Sequence, residues 1–274
     1  MTTMLDYEFM RNAFAAAGIV AVTAGMVGYF LVLRGQSFAG HALSHAGFAG
    51  ATGAALFGLS PLAGLMAATL FAGLGMGALG VDRANRDVAI GMVLAFALGL
   101  GMLFLHFFTS YATVATALLF GNVLAVTRGT ILLLATLGAG SLAALAVISR
   151  PLLFASLQPE LAEAKGVSLR LYAVLFLALV AIATALAAEV VGVLLVFTLL
   201  VGPAAAALRW TRHVATGVAL AAVLALAEAW GGLALAYDTD WPASFAITLL
   251  SVIVYALAHL PLAALARLPG RRYS

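Results

Sequence analysis

Runs of about 20 apolar residues recur along this chain, separated by short polar stretches, and that recurrence decides what it can fold into. A helix rises about 1.5 Å per residue, so roughly 20 residues match the ~30 Å hydrocarbon core of a bilayer. Nine such runs stand out, at 12–33, 38–58, 61–81, 88–108, 129–148, 169–188, 190–207, 214–237 and 241–262. Composition agrees: 65% of residues are hydrophobic, only 8% are charged and the mean hydropathy is +1.16. Soluble domains lie far from these values. Ten-residue stretches of alternating polarity, the mark of a membrane β-barrel, are absent, so helices must satisfy the backbone in lipid. The expected fold class is all-α, a polytopic integral membrane bundle of eight or nine transmembrane helices.

No polar linker or long charge run divides the chain, so residues 1–274 read as one transmembrane domain. The first apolar run is too long for a secretory signal, has Asp6 and Glu8 on its flank and leads directly to further spans. Cysteine is absent, which removes disulfides and thiolate ligands. Arginine sets the orientation, because Lys and Arg favour short cytoplasmic loops. Arg209 and Arg212, and then Arg267, Arg271 and Arg272, place the loops after the seventh and ninth runs inside. Arg34, the loop with Arg83 and Arg86, and the loop with Arg150 and Lys165 follow on the same side. The hairpin with Asp238 and Asp240 then faces out, as does the N-terminus. Only the weakly apolar segment 110–127 could alter that parity.

Catalysis within the chain is not expected. A phosphate-cradling loop needs Gly-Lys-Ser/Thr, and the single lysine, Lys165, precedes a glycine. The stretch GMGALG at 75–80 has dinucleotide-fingerprint spacing but ends an apolar run with no strand before it. Its glycines, with Gly73 and Gly77 four apart, suit close helix contacts in lipid. Paired carboxylates, a nucleophile elbow and HExxH are all missing.

Two polar features remain. The stretch SLQPELAEAKGVSLRLY at 156–172 is the most polar on the expected cytoplasmic side. Pro159 suits a first helical turn, Glu160 and Glu163 suit its positive end and Gly166 suits its stop. That short helix is either a docking knob for a cytoplasmic partner or a solvated connector. The second feature is GQSFAGHALSHAGFAG at 35–50. His41 and His45 are four apart, hence on one helical face and able to approach one ion or one proton path. An ionisable pair inside a span usually faces a cavity or pathway; otherwise small neighbours such as Gly40, Ala42 and Ser44 simply admit water to it. His106, His213 and His259 are single residues near span ends and read as structural. Glu228, near the middle of the eighth run, is either protonated, paired or open to a pathway, and Asp238 and Asp240 could attract a cation.

Several stretches resemble one family. FLVLRGQSFAGHALSHAGFAGATGA at 30–54, LLFGNVLAVT at 118–127, LQPELAEAKGV at 157–167, VVGVLLVFTLLVGPAAAA at 190–207 and AYDTDWPASFAI at 236–247 are similar, in order, to the permeases of bacterial zinc, manganese and iron ABC importers of the ZnuB/MntB type. The resemblance implies a type II ABC importer permease in the bacterial inner membrane. It would be a homodimer, bound inside by ATP-binding cassette subunits and fed by an extracytoplasmic metal-binding protein. Glu160, Ala162 and Gly166 would lie in a coupling helix near 156–168, and no cofactor would be bound permanently. His45 matches the family's pathway histidine, whereas His41 stands where the family commonly has aspartate. Loss of that carboxylate tilts the expected cargo toward Zn2+, with Mn2+ or Fe2+ as alternatives. Two copies could present four imidazoles. Asn122 falls where the family often has aspartate or asparagine, and no role follows for it. The rival expectations are a proton-coupled secondary transporter and a noncatalytic subunit of a membrane enzyme.

Overall fold

The structure, a computed structural model, describes residues 4–79, 83–108, 118–121 and 123–260. Asn122, Arg267, Arg271, Arg272, Gly80 and much of the segment 110–127 lie outside these residues. Among them the nine apolar runs become nine long helices: α1 (Glu8–Leu33), α2 (Ser37–Leu56), α3 (Pro61–Leu79), α4 (Arg83–His106), α5 (Arg128–Leu157), α7 (Leu169–Val191), α8 (Val193–Trp210), α9 (Val214–Thr239) and α10 (Ala243–His259). A six-residue helix, α6 (Pro159–Ala164), lies between α5 and α7. Seven of the nine are long and apolar enough to cross a bilayer by themselves. The exceptions are α10, with 17 described residues, and α2. Histidines, serines and glycines lower the hydropathy of α2, yet nearly all of its residues from Ala39 to Ala54 are buried by protein. Lipid never has to accept them, so the polar content is tolerated.

The helices form two groups joined by α1 and α7. In one, α2 packs on α3 and α4; in the other, α8, α9 and α10 pack on one another. Helix α1 lies against α9, α8, α5 and α7, and α7 lies against α3, α5, α1 and α8. Bilayer lipid supplies no hydrophobic drive between helices, so close backbone approach has to hold them. Small residues sit at the crossings: Gly50 of α2 meets the Gly64 backbone of α3, and Gly28 of α1 meets the Leu200 carbonyl of α8. Gly73 and Gly77 act in the same way. A Cβ there would lie 2.8 Å from the Leu177 carbonyl and 2.7 Å from the Val174 Cα, both on α7.

Side assignments follow from two contacts. Arg128 and Glu8 pair at 2.9 Å, which puts the starts of α5 and α1 on one face. The pair is largely exposed and adds little stability. Arg34, after α1, bonds Ser156 at the end of α5, which puts both on the opposite face. The end of α4 and the start of α5 therefore share a face, termed outer here because the arginine pattern is expected to turn it outward, and the opposite face is termed inner.

Two boundaries differ from the sequence expectation. Helix α5 runs nine residues past 148, through Pro151, to Leu157. Its 30 residues span about 45 Å, more than the ~30 Å core, so its inner end projects and carries α6. The α7–α8 break falls at Gly192 instead of near Glu189. Gly192 has φ +83° and touches Gly121 (φ +72°) of the described 118–121 segment, backbone to backbone.

This crossing makes a prediction. In Gly192→Ala, the Cβ would combine left-handed strain with a clash against the Phe120–Gly121 backbone, a loss of about 2–4 kcal/mol. Gly166→Ala has similar strain at φ +80° but open space around it, and should lose only about 1 kcal/mol. Thermal unfolding in detergent should separate the two; equal shifts would contradict the crossing.

Candidate metal pathway and coupling helix

The chain reverses tightly into α2. Gly35 adopts φ +65°, its N–H donates to the Val32 carbonyl and the Gln36 N–H donates to the Leu31 carbonyl. Two helical turns on, His41 and His45 lie with ring centroids 4.7 Å apart at an interplanar angle of 85°. Ser44, between them in sequence, donates its hydroxyl to the His41 carbonyl at 2.8 Å, so that hydroxyl's proton is already engaged. His45 is 8% exposed and its Nδ1 has no hydrogen-bond partner. His41 is half-buried, with Phe38 at 5.9 Å and Phe197 of α8 edge-on at 5.7 Å. Both phenylalanines are partly exposed. The pair is thus sealed at His45 and open beside His41, with an unengaged imidazole nitrogen at the closed end.

No third His, Cys, Asp or Glu among the described residues joins the pair to make a metal-binding group. Two imidazoles fall short of a closed tetrahedral site.

The other candidate residues lie elsewhere. Glu228 is 2% exposed within the small-residue stripe Gly217, Ala221, Ala225, Ala229 and Gly232 of α9. The Ser251 hydroxyl of α10 faces it but donates toward the Thr198 carbonyl at 3.5 Å. Neither carboxyl oxygen has a hydrogen bond of normal geometry. Helix α8 packs against both α2, which carries the histidine pair, and α9, which carries Glu228. Asp238 and Asp240 are exposed at the outer end of α9, where Asp240 closes the helix in a left-handed conformation (φ +58°). His213 precedes α9 and its carbonyl accepts from Thr211 and Thr216. His259 stacks on Tyr255 at 4.2 Å, and His106 meets Phe107. All three are exposed.

A partly buried carboxyl was missed in the sequence: Glu189, near the outer end of α7. A lone charge within an apolar run was the available signal, but a span boundary drawn at that residue turned it into a loop position.

At the inner face, α6 starts with Pro159 in its first turn. The Gly166 N–H donates to the Glu163 carbonyl and the Val167 N–H to the Ala162 carbonyl, both at 2.9 Å, ending the helix. Ala162 is fully buried against the neighbouring helix ends, while Glu160, Leu161 and Glu163 face outward.

The all-helical architecture is that of an ABC-type membrane permease. The model of the ABC 3 transport family matches residues 6–261, and the chain belongs to that family. It is 31% identical over 258 residues to the manganese transport system membrane protein MntC of Halalkalibacterium halodurans, covering 93% of this chain and 88% of that protein. It is also 31% identical over 259 residues to a probable iron transport system membrane protein of Haemophilus influenzae, covering 93% and 94%. Among solved structures, PsaBC from Streptococcus pneumoniae in complex with Fab superposes with a TM-score of 0.82 at 28% identity, covering 93% of this chain and 92% of that one. The chain is a multi-pass membrane protein, as its apolar runs imply.

Proposed function

We propose that this chain is the permease of a bacterial importer that carries a divalent transition metal into the cytoplasm by alternating access. It works as a homodimer, with separate ATP-binding cassette subunits docked at α6 and an extracytoplasmic metal-binding protein outside. The observation that carries this reading is the pair of imidazoles 4.7 Å apart on a protein-buried helix of a member of an ABC transport family. An ion arriving from outside meets the buried His45 before His41, which lies one turn nearer the inner end of α2, then leaves inward when the cassettes reset. Two ligands per chain lower the desolvation cost without trapping the ion, and a second copy could double them.

The relatives named above are described as transporting manganese or iron, which ranks those metals first; neither is described for zinc, toward which His41 leans. Zinc remains the second reading, on one observation: no carboxylate joins the imidazole pair among the described residues. Manganese favours oxygen ligands, whereas imidazole suits zinc. Glu228 is a packing-buried acid in this account, and the outer carboxylates Asp238 and Asp240 sit where an arriving cation passes.

The test is uptake of radioactive manganese into liposomes holding the permease with its cassette subunit, with iron and zinc as competitors. Uptake should require ATP. Transport by the permease alone down a proton gradient would instead favour the secondary-transporter reading. Imidazole binds metal only when neutral, so uptake should fall once the outer pH is low enough to protonate the pair. A flat profile would speak against histidine coordination as the controlling step.

A further inference from the structure

We infer that Arg34 is a positioning residue that transmits movement of α6 to the histidine-bearing helix; this rests on the ABC permease reading above. Arg34 stands where α1 gives way to α2 and is half-buried. Its Nε donates to the Gln36 side-chain oxygen at 3.1 Å. Gln36 is 4% exposed and caps the N-terminus of α2, and its carbonyl accepts from the Ala39 N–H at 2.9 Å. One terminal nitrogen of the same guanidinium donates to the Ser156 hydroxyl, 122 residues away in sequence. Ser156 in turn donates to the Leu152 carbonyl within α5, so the contact is anchored in the helix and not in a loop. Ser156 stands two residues before Gln158, the N-cap of α6.

The third attachment lies on the other side of α6. The Arg34 guanidinium lies over the ring of Phe176, with Cζ 5.3 Å from the centroid. Phe176 is fully buried in α7, which starts at Leu169, just after α6 ends. One planar cation therefore touches the helix entering α6, the helix leaving it, and the N-cap residue of the helix that carries His41 and His45. A displacement of α6 that tilts α5 against α7 must move this guanidinium or break its bonds. Either event reaches α2 through Gln36, five residues before His41. A guanidinium can hold Gln36, Ser156 and an aromatic face at once because its donors form a rigid fork; an ammonium cannot.

The experiment measures metal imported per ATP hydrolysed, in liposomes holding the assembled permease and cassette subunit, for the wild type, Arg34→Ala, Arg34→Lys and Ser156→Ala. Arg34→Lys keeps the charge and most of the packing. Both Arg34 variants should assemble and hydrolyse ATP within about twofold of wild type while moving at least roughly tenfold less metal per ATP. Adding Ser156→Ala to Arg34→Lys should produce no further loss, because both changes cut one link. An unchanged ratio in Arg34→Ala overturns the proposal. So does a parallel fall of hydrolysis and uptake, additive losses in the double variant, or loss of assembly in every variant, which would make Arg34 a structural tie. Absence of ATP-driven uptake in the wild type would instead defeat the transport reading itself.

Discussion

His45→Ala is expected to abolish ATP-driven metal uptake while leaving the bundle folded and bound to its cassette subunit. The ring is 8% exposed, and its Nδ1 makes no bond that holds the fold together. Removing it leaves a small cavity on a helix that small-residue crossings already secure. The functional loss should be far larger. Disturbing groups that merely orient a metal ligand typically lowers affinity or activity about 10–100-fold, so deleting the ligand should lower uptake by about a hundredfold or more. His41→Ala should be milder, because His41 lies on the open side, where water can replace one imidazole. A double variant with about the same uptake as wild type would remove the pair from the pathway.

The second large effect concerns α6. Ala162 is its fully buried residue, seated between the inner ends of α5 and α7. In Ala162→Leu, three extra carbons have no space there, and overpacking of this kind typically costs about 1–3 kcal/mol. Six residues with one buried anchor cannot absorb that strain, so the helix should lift from its seat and carry Glu160 and Leu161 out of register. The nine long helices should remain intact. The variant should therefore express and melt nearly as the wild type does, yet lose most of its cassette subunit during purification and nearly all uptake. Normal retention of the subunit would mean that α6 is a connector and not a dock. Glu160→Gln, at an exposed position, should have a much smaller effect.

Much of the architecture was legible because lipid imposes one simple rule on length and polarity. All nine runs stand out in the sequence, and seven of their helices pass on length and hydropathy alone. Helix α2 shows where that rule gives way: it is too polar for lipid and survives because α3, α4 and α8 cover it. The same covering made the histidines conspicuous, since an i, i+4 imidazole pair in a buried helix has no obvious packing use. Gly73 and Gly77 were likewise readable from their spacing. Long-range pairing was not. Nothing in the one-dimensional pattern links Arg34 with Ser156 or sets Glu228 beside Ser251. The Gly192 break was missed because a glycine at positive φ inside an apolar run looks the same as the many glycines that pack helix against helix. Cargo was the least legible property, as two imidazoles accept several first-row metals and selectivity depends on ligands that a single chain does not complete.

The central claim is that the imported ion touches these two imidazoles. Zinc, used as a spectroscopic probe, can be loaded into the assembled permease and cassette complex without ATP and studied by X-ray absorption. The account predicts nitrogen scatterers at about 2.0–2.1 Å, the zinc–imidazole distance, in the wild type, and their loss in the His41→Ala, His45→Ala double variant. An identical nitrogen shell in that variant would contradict it.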